Sequence, residues 1–307
     1  MSIRITGAPC SWGVDDVRNP FLPPWQRVLD EAAQAGYRGL ELGPYGYLPL
    51  DLGVVAEALG RRDLFIVAGT IFDDLVAADN LEAVLRHTEE ICALIAALPP
   101  VPQDAGQHFP APYLTVMDWG HPERDFAAGH PDRAPRLGAA DWDRMMAHLR
   151  AIAELAWSRY RVRAVIHPHA GGYLEFEDEL RRMVVDIPYA TAGLCLDTGH
   201  LYYAGMDPLA ILREFAGRLD YLHFKDIDRK VFDRVLGERI AFFDACAQGV
   251  MCPIGQGVID YPAIRRLLTE LDYQGCITVE QERDPRNAAG SLQDVKASLD
   301  YLAGIGF

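Results

Sequence analysis

Paired cysteines are missing from this chain of 307 residues: Cys10, Cys92, Cys195, Cys246, Cys252 and Cys276 are scattered, with no Cys-x-x-Cys among them. Most sit in apolar runs, as reduced and buried thiols do, which argues against a disulfide framework and for a reducing compartment. Long apolar runs are missing too. None approaches the roughly 18 residues that cross a bilayer, and the opening MSIRITGAPCSWG has no apolar core or cleavage-like site. No membrane partner is expected, and the cytoplasm is the expected location. Basic residues are scarce beside acidic ones, 29 against 44, for a formal net charge of -15. A surface of that sign repels a phosphate backbone, so nucleic acid is not an expected partner. Also absent are low-complexity tracts, a linker-like shift in composition, and a Gly-x-Gly-x-x-Gly run after the first apolar segment.

What the chain has is a repeating rhythm. Half of it is apolar and 24% is charged, ample for a large core. Short apolar runs alternate with longer segments of helical period, the pattern of successive βαβ units on a parallel sheet. Eight runs read as strands: Arg4–Ala8, Gly39–Leu42, Leu64–Thr70, Tyr113–Met117, Val162–Ile166, Thr191–Leu196, Tyr221–Phe224 and Cys276–Val279. Helices are expected over Trp25–Ala35, Leu81–Leu98, Trp142–Trp157, Glu175–Val185, Pro208–Phe215, Tyr261–Leu271 and near Leu292–Leu302. Within the second, Leu81, Val84, Leu85, Thr88, Ile91, Cys92 and Ile95 recur at three- and four-residue spacing, as one buried face requires. Asp260 ahead of Tyr261-Pro262 reads as an N-cap with proline in the first turn. Eight strands without a dinucleotide fingerprint favour a closed (β/α)8 TIM barrel over an open doubly wound sheet. One domain over 1–307 is expected, with loop elaborations near 99–139 and 228–257.

In such barrels the side chains at the C-terminal ends of the strands share one pocket. Four consecutive strands end in polar groups: His167-Pro168-His169, Asp197-Thr198-Gly199-His200, His223-Phe224-Lys225-Asp226 and Glu280-Gln281-Glu282. One His or Asp after a strand is commonly a hydrogen-bonded loop residue. Four of the nine histidines gathered at successive strand ends, with carboxylates beside them, are better explained by a divalent ion. A mixed nitrogen and oxygen set suits Mn2+, Co2+, Zn2+ or Fe2+ better than an all-oxygen Mg2+ cage.

These segments, from Val165-Ile166-His167-Pro168-His169-Ala170-Gly171-Gly172-Tyr173-Leu174-Glu175 through Leu194–His200, His223–Asp226, Gly255-Gln256-Gly257-Val258-Ile259-Asp260-Tyr261 and Val279-Glu280-Gln281, resemble the inosose (2-keto-myo-inositol) dehydratases. Those belong to the xylose-isomerase-like superfamily of sugar isomerases and epimerases. Ala8-Pro9-Cys10-Ser11-Trp12-Gly13 and Glu41–Pro49 extend the likeness to the first two strands. In the superfamily the metal is typically held by Glu, Asp, His and Glu from strands five to eight. The resemblance therefore implies His167, Asp197, His223 and Glu280. His167 stands where many relatives carry Glu, and His169 or Glu175 stays open as the first ligand. Gln256 stands where the dehydratases carry an acidic residue between two glycines.

The implied cofactor is one divalent ion, Mn2+ or Co2+ first, with Zn2+, Fe2+ or Mg2+ as alternatives. The implied reaction is dehydration of a cyclitol ketone through an enediolate, and the implied partner is a small polyhydroxylated carbonyl substrate. Isomerisation or epimerisation of a ketose is the alternative. A phosphoester hydrolase on this barrel would need more His and Glu ligands and a basic groove, and a binding protein would not need the ligand run. Glu175 and His200 are the candidates for proton transfer, with Lys225 as a cation or acid near a leaving oxygen. Glu175 has the alternative of opening the fifth helix, and Lys225 of pairing with Asp226. Trp12, Glu41 and His169 are expected to line the pocket, Trp12 otherwise packing the barrel bottom. Arg283 would hold an anionic group or pair with Asp284. Assembly as a homo-oligomer is left open.

Overall fold

The computed structural model describes residues 3–103 and 106–307. Positions 1, 2, 104 and 105 of the expected span 1–307, the last two within the expected elaboration near 99–139, lie outside the described residues. In chain order the strands are β1 (Ile3–Gly7), β2 (Gly39–Glu41), β3 (Phe65–Asp73), β4 (Tyr113–Asp118), β5 (Arg163–Ile166), β6 (Gly193–Asp197), β7 (Leu219–Phe224), β8 (Asp226–Ile227), β9 (Met251–Cys252) and β10 (Gly275–Val279). β1 to β7 lie side by side, and β10 closes the ring between β7 and β1. Every pairing in this barrel is parallel, while β8 and β9 form a separate antiparallel pair. The expected closed barrel is thus present, and the open-sheet rival is excluded.

Local chemistry explains the elements. β5 and β6 are buried at every position, as strands covered on both faces must be, and their sequences are accordingly near-continuous apolar runs. The helix Leu81–Ala97 buries Val84, Thr88, Ile91, Cys92 and Ile95 against the barrel. Asp260 caps the helix Tyr261–Glu270 by accepting from the Ala263 amide at 2.8 Å. The helix Leu52–Gly60, unmarked by the apolar period, begins at Asp51, which accepts from the Val54 amide at 2.9 Å. Among the described residues no helix is long and apolar enough to cross a membrane. The six cysteines are free thiols.

Two core clusters meet at the strands. The larger lies between barrel and helices; a smaller one, with Phe65, Val67, Tyr113, Val165, Cys195, Tyr221 and Cys276, fills the barrel interior. Tyr113 stacks on Tyr221 with centroids 5.0 Å apart. Because strand side chains alternate with a period of two, the residue two steps beyond each of Val165, Cys195, Tyr221 and Cys276 shares its face. Those residues are His167, Asp197, His223 and Thr278. The interior thus changes from apolar to charged within one step toward the C-terminal ends.

Within 99–139 lie β4 and the short helix Pro122–Asp125, with loops around them. The segment 228–257 forms the helices Arg229–Glu238 and Phe242–Ala247, which bury Phe232, Val235, Phe242 and Ala245 against Ala170 and Tyr203. It therefore packs beside the strand-five and strand-six loops, where the polar strand ends emerge.

Candidate active site

Strand register levels the polar groups. Asp197 on β6 pairs with His223 on β7, and His223 with Thr278 on β10. The Glu280 amide donates to Phe224 O at 3.0 Å and the His167 amide to Val116 O at 3.0 Å, carrying both strands one residue further. Asp197 spends Oδ1 on the amides of Gly199 and His200, at 2.7 and 2.9 Å, capping the short helix Thr198–Tyr203. Its Oδ2 is left facing inward, 3.6 Å from His167 Nε2 and 3.9 Å from His223 Nδ1. Glu280 Oε2 lies 2.8 Å from His223 Nδ1. His167, Asp197, His223 and Glu280 each offer one donor atom within 4.8 Å of the other three, and all four are buried.

Their hydrogen bonding shows what the set is suited to. Both ring nitrogens of His167 are buried and make no hydrogen bond, while His223 Nδ1 faces only the Glu280 carboxylate. Leaving such an atom bare costs about 1–3 kcal/mol, a burden that one cation among these donors would remove. His223 Nε2 faces Glu41 Oε1 at 2.8 Å. A carboxylate only accepts, so Nε2 carries the proton and orients the ring, the usual outer partner of a metal-binding imidazole. The residues present therefore fit a divalent ion with two nitrogen and two oxygen donors.

Charge around the four is strongly coupled. Lys225, on the same face of β7, places Nζ 2.7 Å from Asp197 Oδ2, 2.5 Å from Glu280 Oε2 and 3.0 Å from Glu282 Oε1. Burial would raise the Asp197 carboxyl, but Lys225, with His200 and His167, holds it well below the usual carboxylate range. Glu280 is likewise held down against burial, by His223 and Lys225. Burial, then Lys225, pushes the His200 imidazole well below its ordinary value.

A family model described as xylose isomerase-like TIM barrel matches residues 29–304. The chain belongs to the xylose isomerase-like TIM barrel family. Inosose dehydratase of Geobacillus kaustophilus is 30% identical over 97% of this chain and 93% of its own length. Rhizopine catabolism protein MocC of Rhizobium meliloti is 29% identical over 99% of this chain and 88% of its own. Among solved structures, IOLI protein with a binding zinc atom superposes with a TM-score of 0.70 at 14% identity, covering 98% of each chain.

On this family scaffold some expected residues stand elsewhere than the sequence placed them. Trp12 has no exposed surface; its indole donates to Glu31 Oε2 at 2.7 Å, and it packs in the core cluster between barrel and helices rather than among the four donors. Glu175 is kept from the donor cluster because both its oxygens are used, accepting from the Gly129 amide at 2.7 Å and the Gly171 amide at 2.9 Å. It does not open the fifth helix either. That helix runs Glu177–Asp186, and Glu179 caps it by accepting from the amides of Glu175 and Phe176. Lys225 does not pair with Asp226, whose carboxylate accepts from the amides of Ile227, Gly255, Gly257 and Ile259. This explains the two glycines around Gln256: a Cβ on Gly257 would strike the Asp226 carboxylate, and one on Gly255, at φ +88°, the Tyr301 ring. Gln256 itself is exposed. Arg283 pairs with Asp294 at 2.8 Å rather than with Asp284, which pairs with Arg286.

His169 does reach the site, its ring 4.1 Å from that of His200. Around it stand residues that the sequence did not single out. Phe72 and Trp119 stack at 5.2 Å, and Phe243 meets Trp119 edge-on at 4.9 Å; all three are partly exposed beside His169. This aromatic wall joins β3 to both loop elaborations. Glu282 was also missed as a partner of the site, although its position two residues after Glu280 carried the same period-two signal.

Proposed function

We propose that the whole chain acts as one metal-dependent lyase that dehydrates a cyclitol ketone, 2-keto-myo-inositol or a close analogue. The observation that carries the reading is the convergence of His167, Asp197, His223 and Glu280, with both ring nitrogens of His167 left without a hydrogen bond among them. It is supported by the 30% identity, over nearly the full length of both chains, to an inosose dehydratase. The four residues hold one divalent ion, Mn2+ or Co2+ first. When bound, that ion supplies Lewis-acid stabilisation of the charge that grows on the substrate's carbonyl oxygen.

The chain's own groups supply the rest. Dehydration moves a proton from the carbon beside the carbonyl to His169 Nε2, a lone-pair acceptor because Nδ1 donates to Ala170 O at 2.8 Å, breaks the C–O bond at the next carbon, and delivers a proton to the departing oxygen, so that water leaves. Lys225, fixed as an ammonium by three carboxylates, is the proton donor to that oxygen. Glu41 keeps His223 turned inward. Phe72, Trp119 and Phe243 offer an apolar wall to the C–H face of a ring and exclude water from it.

The test starts with chelation. Protein stripped of metal, with its circular dichroism unchanged, is expected to lose turnover of 2-keto-myo-inositol and regain it with Mn2+ or Co2+. Mass spectrometry then reads the reaction: a product lighter by one water supports dehydration, whereas an isomer of unchanged mass would replace it with the epimerase or isomerase reading. Full activity in verified metal-free protein would remove the Lewis acid from the account.

A further inference from the structure

Beside the four donors lies a second buried group, His169, His200 and Glu282, whose ligand atoms also fall within 4.8 Å of one another. Its hydrogen bonding argues against a second ion. The Ala170 amide donates to His200 Nδ1 at 3.1 Å, so that nitrogen is an acceptor and the proton of the ring sits on Nε2. His200 therefore offers its neighbours a donor rather than a lone pair. That Nε2 is buried and makes no hydrogen bond, and the nearest carboxylate oxygen, Glu282 Oε1, is 3.8 Å away, too far for a direct one. Glu282 has the complementary vacancy. Its Oε1 is held by Lys225 at 3.0 Å, while its Oε2 is buried without any partner. The two residues are 2% and 6% exposed.

We infer that His200 and Glu282 together grip one hydroxyl group of the substrate, whose oxygen accepts from His200 Nε2 and whose hydrogen is donated to Glu282 Oε2. A bare donor and a bare acceptor side by side are matched by a group that is both, which among sugar and cyclitol substituents is the hydroxyl. A carbonyl, an ether or a deoxy carbon would leave the buried carboxylate oxygen unpaired, so the pair selects for a hydroxyl at one ring position. Glu282 is thereby a specificity-determining residue, and through Lys225 a positioning residue for the proposed proton donor. The inference rests on the proposed function only for the class of molecule, a polyol.

The experiment measures calorimetric binding of myo-inositol and its mono-deoxy analogues to the metal-loaded protein, which needs no turnover. For the unaltered protein, removing one particular hydroxyl is expected to weaken binding by roughly 10- to 100-fold, the range for a hydrogen bond to a charged group. In Glu282→Gln and separately in His200→Ala, both checked for fold and for unchanged metal content, the penalty at that same position is expected to vanish. Equal weakening of every analogue by the substitutions would overturn the inference, as would different positions for the two variants; a bridging water held by the pair would give the first of these. Loss of bound metal in Glu282→Gln would also overturn it, by making that carboxylate a ligand. If the position-specific penalty holds while 2-keto-myo-inositol is not dehydrated, the proposed reaction fails and the hydroxyl grip stands.

Discussion

Two buried ionic clusters occupy opposite ends of the same barrel strands and are finished differently. At the N-terminal ends, Arg163 opens β5 and Asp220 lies near the start of β7. Arg163 Nε donates to Asp220 Oδ2 at 2.8 Å, Tyr189 OH donates to Asp220 Oδ1 at 2.6 Å, and the remaining guanidinium nitrogens reach the carbonyls of Tyr189 and Ala190. The guanidinium also lies 3.7 Å over the Phe109 ring. Here a cavity of about 250 Å³ opens beside a cluster whose polar atoms are already paired. At the C-terminal ends the charges are more numerous, yet His167, His200 and Glu282 all keep buried atoms with no partner. Where every polar atom is paired, the charges hold the fold together; the atoms left without a partner at the other end are kept for something that arrives from outside. The open cavity, at the paired end, is therefore a poorer guide to function than the bare atoms.

Matched substitutions at the two ends give the largest effects and the sharpest break. Asp197→Ala is expected to lose the ion and to lower kcat/KM by roughly a thousandfold or more, since several kcal/mol of charge stabilisation go with it. Metal analysis after gel filtration and steady-state kinetics check this. Asp220→Ala is expected to keep the ion and to lower unfolding stability by about 3–5 kcal/mol, because Arg163 is left charged and buried. If urea denaturation shows the two variants equally destabilised and equally metal-free, the contrast between the ends disappears.

A smaller effect is expected at Glu175, which lies among the strand-five loops but outside the donor cluster. Burial pushes its carboxyl up, against the amides of Gly129 and Gly171 and the Arg124 guanidinium, to about 8. The folded state then holds a proton that the unfolded state releases near its ordinary value of 4.5. Stability from this group is present below that pH and is lost as the pH rises toward 8, by at most about 1.4 kcal/mol per pH unit. Glu175→Gln should flatten that slope in urea unfolding measured across the window, with metal content unchanged. A slope identical to that of the parent protein would remove Glu175 from the pH dependence. The smallest effect on function is expected from Trp12→Phe, which deletes the hydrogen bond to the charged Glu31 and costs about 1.5–3 kcal/mol of stability. Its KM should not change, and a raised KM would return Trp12 to the pocket.

Much of the site was legible because strand chemistry is local. An apolar run with polar groups at its end marks the four strand ends from His167 to Glu282, the family resemblance picks out Asp197, His223 and Glu280 among them, and the eightfold alternation of strand and helix locates the barrel. What could not be read depends on contacts between distant segments. Nothing in Ala8–Gly13 tells that Trp12 turns outward to Glu31, and nothing around Glu175 announces the amides of Gly129 and Gly171. The wall of Phe72, Trp119 and Phe243 is assembled from a strand, a loop and a helix far apart in the chain, so no spacing encodes it. Lys225 was legible as a cation near the chemistry, but its choice of Asp197, Glu280 and Glu282 over adjacent Asp226 depends on a glycine-rich turn some thirty residues away.

The contact between Glu41 and His223 spans the hollow of the barrel, from β2 to β7. The strands that carry the donors therefore rely for one imidazole's orientation on a strand that carries none. A chain shortened from its N-terminus past β2 would retain His167, Asp197, His223 and Glu280 in full, and still be expected to bind its ion poorly, because the far wall that turns His223 to face them would be gone.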